Sequence, residues 1–344
     1  MELLSPNTPL IGICISKNKK AFRKLIKRRL ECYSEDINVV SFYIEGLDFQ
    51  QHHVIGHLYQ KKGDNITKLK GKFPFPHVVY LQCFVDPDTV KKIEDLIGPK
   101  VFNSFIFDKY QCVEMLAKDT SLVDHIPKTW KLKDLMDLQE ILNSQEDVFL
   151  KSIDPIKSHS SKGIYRLRRS RPSHIQVSYG RRGKMTYREF GGYEEFVNWA
   201  SPILSMQPFI LQQSIETVLY QNKVTDIRLN MNKNSFGQWD ISALLYRVST
   251  NDSHLYYSLS KLLDLKKINE EWAKAIVDVG YKICNVLDQS GVHMADLGID
   301  LGIDNNEHIW IFEVNPLPFP FDLSRMKDDS IVRPLDYAVY LSSQ

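Results

Sequence analysis

The chain is poor in the features that mark several protein classes. Its five cysteines, Cys14, Cys32, Cys83, Cys112 and Cys284, are odd in number and widely spaced, with no Cys-x-x-Cys pair and no histidine at zinc-finger distance. That excludes a disulfide framework or a clustered zinc site and fits reduced thiols in a cytosolic protein. Long apolar runs are missing too. The longest, 78–85, is interrupted by Gln82 and is under half of the ~20 residues a membrane helix needs. Met1 to Pro6 carries no basic region ahead of an apolar stretch, so no secretory leader is expected. Net charge is almost absent: 44 basic against 42 acidic side chains leave +2, so any basic site has to be local. No internal repeat or low-complexity tract occurs.

What remains is an ordinary folded composition, 43% hydrophobic, 25% charged and 11% aromatic over 344 residues, enough for two or three folding units of roughly 100–200 residues each. Leu10 to Ile15 is a short apolar run between Pro9 and Ser16, the pattern of a buried strand. A helix with a basic outer face follows over 17–31, with Phe22, Leu25, Ile26 and Leu30 at helical spacing. Apolar runs at 37–44 and 78–84 and a helical pattern at 87–97 continue a β-α-β alternation to about residue 105. From Asp108 the texture changes. A helical stretch leads through a polar segment to Val148-Phe149-Leu150, then to short strands over 164–190, a helix at 193–204, strands near 209–213, 226–232 and 239–248, and a helix at 272–287. Two final β segments, 298–303 and 308–314, flank the turn 304–307.

The last two segments carry the chemistry. Glu313 and Asn315 are two apart on one strand and so leave the same face; Asp300 can join them from its neighbour. Two carboxylates and an amide oxygen make a hard donor set suited to Mg²⁺. Lys109 follows Asp108 at a helix start, and Lys151 ends the buried run 148–150, so two ammonium groups suited to phosphate are presented from defined structure. Taken alone, Lys151 equally reads as a lysine reaching out to water. Ser158 to Ile164 supplies small residues and backbone N–H groups for a phosphate-covering loop, although it is not a Gly-x-x-x-x-Gly-Lys-Ser/Thr loop.

Asp108-Lys109, Leu150-Lys151, Ser161-Lys162-Gly163, Leu211-Gln212-Gln213, Asp226-Ile227-Arg228, Tyr246-Arg247 and Phe312-Glu313-Val314-Asn315-Pro316, in that order, resemble an ATP-grasp enzyme. More narrowly, the chain is similar to the spore-coat-associated YheC/YheD group, on residues 103–109, Ile126-Pro127-Lys128-Thr129 and 300–304. The resemblance implies a mixed α/β and α+β architecture: an open α/β pre-ATP-grasp domain at 1–105, then an ATP-grasp domain at 106–344 whose two lobes clasp ATP, with a lid lobe at about 148–210. It implies that Lys109 and Lys151 touch ATP phosphates, that Ser160, Ser161, Lys162 and Gly163 cover them, and that Leu211, Gln212, Gln213 and Ile215 form the adenine-facing hinge. Asp300, Glu313 and Asn315 match magnesium positions; Arg228 and Arg247 match basic residues facing the transferred phosphoryl group. Arg228 also reads as a cross-strand partner of an acid. Two departures stand out: the phosphate loop has one glycine, and the segment after Glu-x-Asn, Pro316-Leu317-Pro318-Phe319-Pro320, is unusually stiff.

The reaction implied is ATP-dependent carboxylate–amine ligation through an acyl phosphate, on an acidic peptide or amino acid in a spore-forming bacterium. Two other readings stay open: a nucleotide-binding structural protein of the spore coat without turnover, and a small-molecule kinase. The expected location is cytoplasmic, including the forespore or spore-coat surface, with spore-coat proteins as candidate partners. Between Asp154 and Glu189 ten lysines and arginines occur without an acid. They read either as a wall for an acidic substrate, with Arg168 and Arg169 at its centre, or as a solvated face. Tyr165, Tyr179 and Tyr187 interleave with them as in a stacking platform, but no nucleic-acid motif accompanies them, so nucleic acid is not the expected partner.

Overall fold

The computed structural model describes residues 8–17, 20–153, 163–171, 174–181, 184–249, 254–258, 270–318 and 329–344. Three six-stranded sheets follow one another along the chain. The first contains β1 (Leu10–Ile15), β2 (Ile37–Asp48), β3 (His53–Lys62), β4 (Asn65–Pro74), β5 (Val78–Gln82) and β6 (Val101–Phe102), with helices α1 (Lys20–Cys32) and α2 (Pro87–Ile97). Its order is β4-β3-β2-β1-β5-β6. β1 pairs in parallel with both β2 and β5, which explains why every residue of β1 and β5 is buried. α2 starts where the sequence places it because Asp86 caps Thr89 N and Pro87 opens the first turn.

Next come α3 (Lys109–Leu116), α4 (Thr120–Val123), β7 (Thr129–Lys131), α5 (Leu135–Ser144), β8 (Asp147–Ser152), β9 (Ile164–Arg171), β10 (His174–Arg181), β11 (Lys184–Phe190), α6 (Tyr193–Leu204) and β12 (Phe209–Gln213). The second sheet is ordered β11-β10-β9-β8-β12-β7. Strand β8 alternates strictly, burying Val148, Leu150 and Ser152. Val148 and Leu150 join Leu167, Val177, Phe196 and Leu211 in the core under α5 and α6. The strand's other face, with Phe149 and Lys151, is left free for a ligand cleft.

The third sheet holds β13 (Leu219–Tyr220), β14 (Lys223–Lys233), β15 (Trp239–Ser249), β16 (His254–Ser258), β17 (Asp296–Ile303) and β18 (Ile309–Asn315). The order is β16-β15-β14-β17-β18, with β13 on β14. Helix α7 (Glu270–Gln289) lays Ile276, Val279, Ile283 and Leu287 against Ile227, Leu229, Met231, Ile299 and Leu301; each such side chain contributes on the order of 1.5–3 kcal/mol by leaving water. The buried apolar residues on β14 and β17 are odd-numbered, so the even-numbered Asp226, Arg228, Gly298 and Asp300 share the opposite face. A bulge at Phe312 shifts the β17–β18 register between Asp300 and Leu301. It lets Ile311 and Val314 both reach the core while Glu313 and Asn315 turn to the polar face.

The final helix, α8 (Asp329–Ser342), returns to the first sheet, where Leu335, Tyr337, Ala338 and Leu341 pack with the β1, α1 and β5 core. Beside it a buried polar junction ties the first sheet to the third. Asn103 holds a left-handed conformation (φ 51°). It donates to the carbonyls of Asp296 (2.7 Å) and Pro316 (2.8 Å) and accepts from the N–H groups of Ala295 and Asp296 (both 3.0 Å). The Asp296 carboxylate takes hydrogen bonds from Tyr80 and from Asn232 (2.9 Å), with Arg29 4.0 Å away. Among the described residues no helix is long and apolar enough to cross a membrane.

Candidate functional site: a cleft between the second and third sheets

The cleft is assembled from four stretches of chain. Asp108 caps α3 by accepting from Tyr110 N and Gln111 N (both 2.8 Å), while Gln111 reaches back to Asp108 N (3.0 Å). This reciprocal cap fixes the first residue of the helix, Lys109, in place. The Lys109 ammonium pairs with the Glu313 carboxylate across the cleft. From the second sheet, Lys151 Nζ donates to Gln212 Oε1 (2.5 Å), and Gln212 Nε2 donates to Thr129 Oγ1 (3.2 Å). Lys109, Lys151, Gln212 and Glu313 line one cavity with the apolar walls Ile210, Ile311 and Val314. Burial, reinforced by Lys109 and opposed by Glu313 and Asp300, pushes the Lys151 ammonium down to about 8. Burial works to raise the Glu313 carboxyl, but Lys109, Lys151 and Arg228 outweigh it and hold it below the usual range.

On the third sheet a row of ion pairs crosses three strands, and a hydrogen bond carries it to a fourth. Asp300 sits opposite Glu313 on one side and Arg228 on the other. Its Oδ1 meets Arg247 Nη2 (2.7 Å) and Arg228 Nη1 (3.3 Å), and its Oδ2 accepts from Asn315 Nδ2 (3.0 Å). Arg247 Nε is held by Asp226, so its fork is locked between two carboxylates. Burial pulls the Arg247 guanidinium down, yet Asp300 and Asp226 together raise it; for Arg228 burial wins and the guanidinium is lowered. The cross-strand partner that sequence offered for Arg228 is thus real, and it is Asp300.

The remaining residues singled out by sequence fall as follows. Leu211 points into the core under α6, whereas Gln213 at the end of β12 and Ile215 beyond it are half-buried; Gln213 N donates to Lys128 O (2.8 Å) and Ser214 N to Asp147 O (3.1 Å). Gly163 (φ 77°) accepts from Ser152 N (2.9 Å), closing the far end of β8. Ser160, Ser161 and Lys162 lie outside the described residues.

Two of the ten basic residues of the acid-free stretch are paired with an acid among the described residues. Arg166 grips Asp147 through Nε (2.9 Å) and Nη2 (2.6 Å), and Arg168 reaches the same carboxylate (3.1 Å). Arg169 leaves by the opposite face to Asn143 O (3.0 Å). Asp147, which precedes the acid-free stretch, supplies one compensating charge from the neighbouring strand. Sequence reading quoted Asp226 beside Arg228 without giving it a role, and it did not pair Gln212 with Lys151 or single out Gly298. For Asp226 a signal exists in its i, i+2 spacing to Arg228 on a strand.

Two facing antiparallel sheets, one carrying Lys151 and the other a carboxylate–amide row, with Lys109 at a helix start beside them, are the architecture of the ATP-grasp class. A model of the YheC/D-like ATP-grasp family matches residues 98–341, and the chain belongs to that family. It is 23% identical over 367 aligned positions to the endospore coat-associated protein YheD of Bacillus subtilis strain 168, covering 98% of this chain and 79% of that one. Among solved structures the fold resembles the ATP-grasp ligase PsnB complexed with a minimal precursor (TM-score 0.53, 14% identity, 97% of this chain and 99% of that one). It also resembles the ADP complex of N5-carboxyaminoimidazole synthetase from Staphylococcus aureus (TM-score 0.54, 10% identity, 90% and 71%).

Proposed function

We propose that the protein is an ATP-dependent carboxylate–amine ligase. One observation carries this reading: Lys109, Lys151, Gln212 and Glu313, drawn from four separate stretches, line one cleft between the two sheets. Lys109 and Lys151 would hold the ATP phosphates, the loop 160–163 would cover them, and the connection 211–215 would meet adenine, with Leu211 acting through its backbone. Asp300, Glu313 and Asn315 fit Mg²⁺ by donor type and would hold it; when bound, the ion neutralises phosphate charge. Arg228 and Arg247, anchored by Asp300 and Asp226, stabilise negative charge that builds on the transferred phosphoryl group without having to reorganise. In the chemistry a substrate carboxylate attacks the γ-phosphorus and ADP leaves. An amine then displaces phosphate from the acyl phosphate, forming an amide and losing a proton. No protein nucleophile is needed.

An acidic peptide or amino acid is the proposed carboxylate substrate, a reading supported by two buried arginines at the cleft floor. The relatives' association with the endospore coat supports action in the cytoplasm of a sporulating cell or at the coat surface. It also favours one second reading, a coat component that binds nucleotide without turnover.

The test is ADP release with Mg-ATP, acidic peptides and amines. Amine-dependent release with a matching product mass is expected, and Glu313→Gln is expected to lower it by at least about 100-fold. Carboxylate-dependent release without need of an amine would identify a kinase; tight ATP binding with no turnover across the panel would favour the coat component. A Glu313→Gln protein as active as the parent would sink the site assignment.

A pH effect follows from Lys151. Its free value of about 8 rises when phosphate charge enters, so nucleotide binding takes up a proton. ATP affinity is therefore expected to fall as pH climbs above 8, by up to about tenfold per unit. Lys151→Gln should flatten the profile in a fluorescence titration; the same slope in the variant would assign the proton elsewhere.

A further inference from the structure

A separate cavity lies on the first sheet, its walls largely apolar with Arg23, His57 and Lys70 among them, and none of its lining residues belongs to the nucleotide cleft. It has a volume of about 130 Å³ and sits where α1 leaves the β2–β3–β4 surface uncovered. Ser41, His57 and Lys70 are register partners across three adjacent strands and therefore share one face. Arg23, on the first turn of α1, closes the cavity from above, its guanidinium 5.7 Å from the Tyr43 ring. Lys68 stands beside Lys70 over the Tyr59 ring (5.3 Å), and at the mouth Lys17 pairs with Glu45 (3.0 Å).

The charges do not balance. Lys17 has its acid, but Arg23, Lys68 and Lys70 have no carboxylate partner among the described residues. Arg23 Nε is buried without any hydrogen-bond partner there. Burial first, then Lys68, Lys70 and Arg23, depress the His57 imidazolium, as expected where several cations converge on one half-buried ring. Arginine and lysine only donate, so what the cavity lacks is an acceptor carrying negative charge. Arginine's planar fork and a facing ammonium match an oxyanion.

We propose that the Arg23–His57–Lys70 cavity binds an oxyanion, a carboxylate or phosphate group, at a site separate from the nucleotide cleft. The proposal does not depend on the ligase reading. Two sources supply this chemistry, a free anion and an acidic side chain of a bound peptide, and two probes separate them.

The experiment follows the His57 ring by NMR on the full chain, assigned with His57→Gln, while sulfate or a short polyglutamate peptide is titrated. Sulfate carries no proton near neutrality, so any movement of the imidazole titration belongs to the protein. Arg23 from α1, Lys68 and Lys70 from β4 and the Lys17–Glu45 pair are the charges facing the ring. An entering anion offsets the cations and moves the imidazole titration upward. The expected result is that upward movement, with saturable binding weakened roughly tenfold in Lys70→Glu, which replaces an attractive neighbour by a repulsive one at an exposed position. Arg23→Gln should weaken it as well. A response to both probes assigns a site for free anions; a response to the peptide alone assigns an acidic side chain. No movement with either probe, or the same movement in Lys70→Glu, overturns the proposal.

Discussion

Replacing Asn103 by alanine is expected to destabilise the protein by about 4–6 kcal/mol, near the top of the range for single substitutions. The side chain makes four hydrogen bonds at a completely buried position. Its loss strands two carbonyls and two N–H groups, each costing about 1–3 kcal/mol when left buried and unpaired, less what the junction recovers by shifting. The backbone adds to this. Asn103 sits at φ 51°, a conformation asparagine tolerates and alanine resists by about 1 kcal/mol. Asn103→Gly separates the two causes: it relieves the conformational penalty and still loses every bond, so it should recover only that last increment. Calorimetric melting of the three proteins decides the matter. A change below about 1 kcal/mol for alanine would mean that the junction rearranges freely. The effect should reach the cleft, because the bonds to Asp296 and Pro316 anchor the start of β17 and the exit of β18. Those strands carry Asp300, Glu313 and Asn315.

Where one physical rule governed a segment, the sequence was readable. β1 and β5 are apolar runs because parallel pairing buries both their faces, and the periodicity over 272–287 marked α7 because one stripe of that helix meets the third sheet. The acids of β17 and β18 stood out because the opposite face of those strands is strictly apolar. Several elements escaped, among them β3, β4, α5, β7, β16 and α8. The β3–β4 hairpin was silent because most of β4 is exposed on both faces, so Lys68, Lys70 and Lys72 sit on an edge strand with no apolar alternation of its own. Helix α8 was hidden by Pro334 in its middle and by the distance along the chain to the sheet it covers. In the site, single charges were legible and their partners were not. Asp147 lies outside the acid-free stretch whose Arg166 and Arg168 it holds, and the Lys151–Gln212 bond joins residues 61 apart. Composition along the chain does not report which strands become neighbours.

Gly298→Ala is expected to reduce phosphoryl transfer by about 100–1,000-fold while leaving nucleotide binding intact. Gly298 lies two residues before Asp300 on the same face of β17, and a Cβ there would stand 2.5 Å from Arg228 Nη1 and 3.1 Å from Arg228 Cζ. Retreat to the other side is blocked, since the same Cβ would lie 3.1 Å from Pro318 Cβ. The guanidinium is the softer of the two and has to give way, leaving Asp300, which then keeps Arg247 as its arginine partner. A charged donor moved by an ångström no longer meets the developing charge, and misplacement of that size costs roughly 100-fold. Lys109, Lys151 and Gln212 are untouched by the change, so the affinity for ATP should stay within about twofold, a shift of roughly 0.4 kcal/mol. Paired measurements of ATP binding and of ADP release with substrate separate the outcomes. Loss of turnover with binding retained places Arg228 at the transferred group; parallel loss of both would make Gly298 a packing position, and unchanged turnover would remove Arg228 from the chemistry.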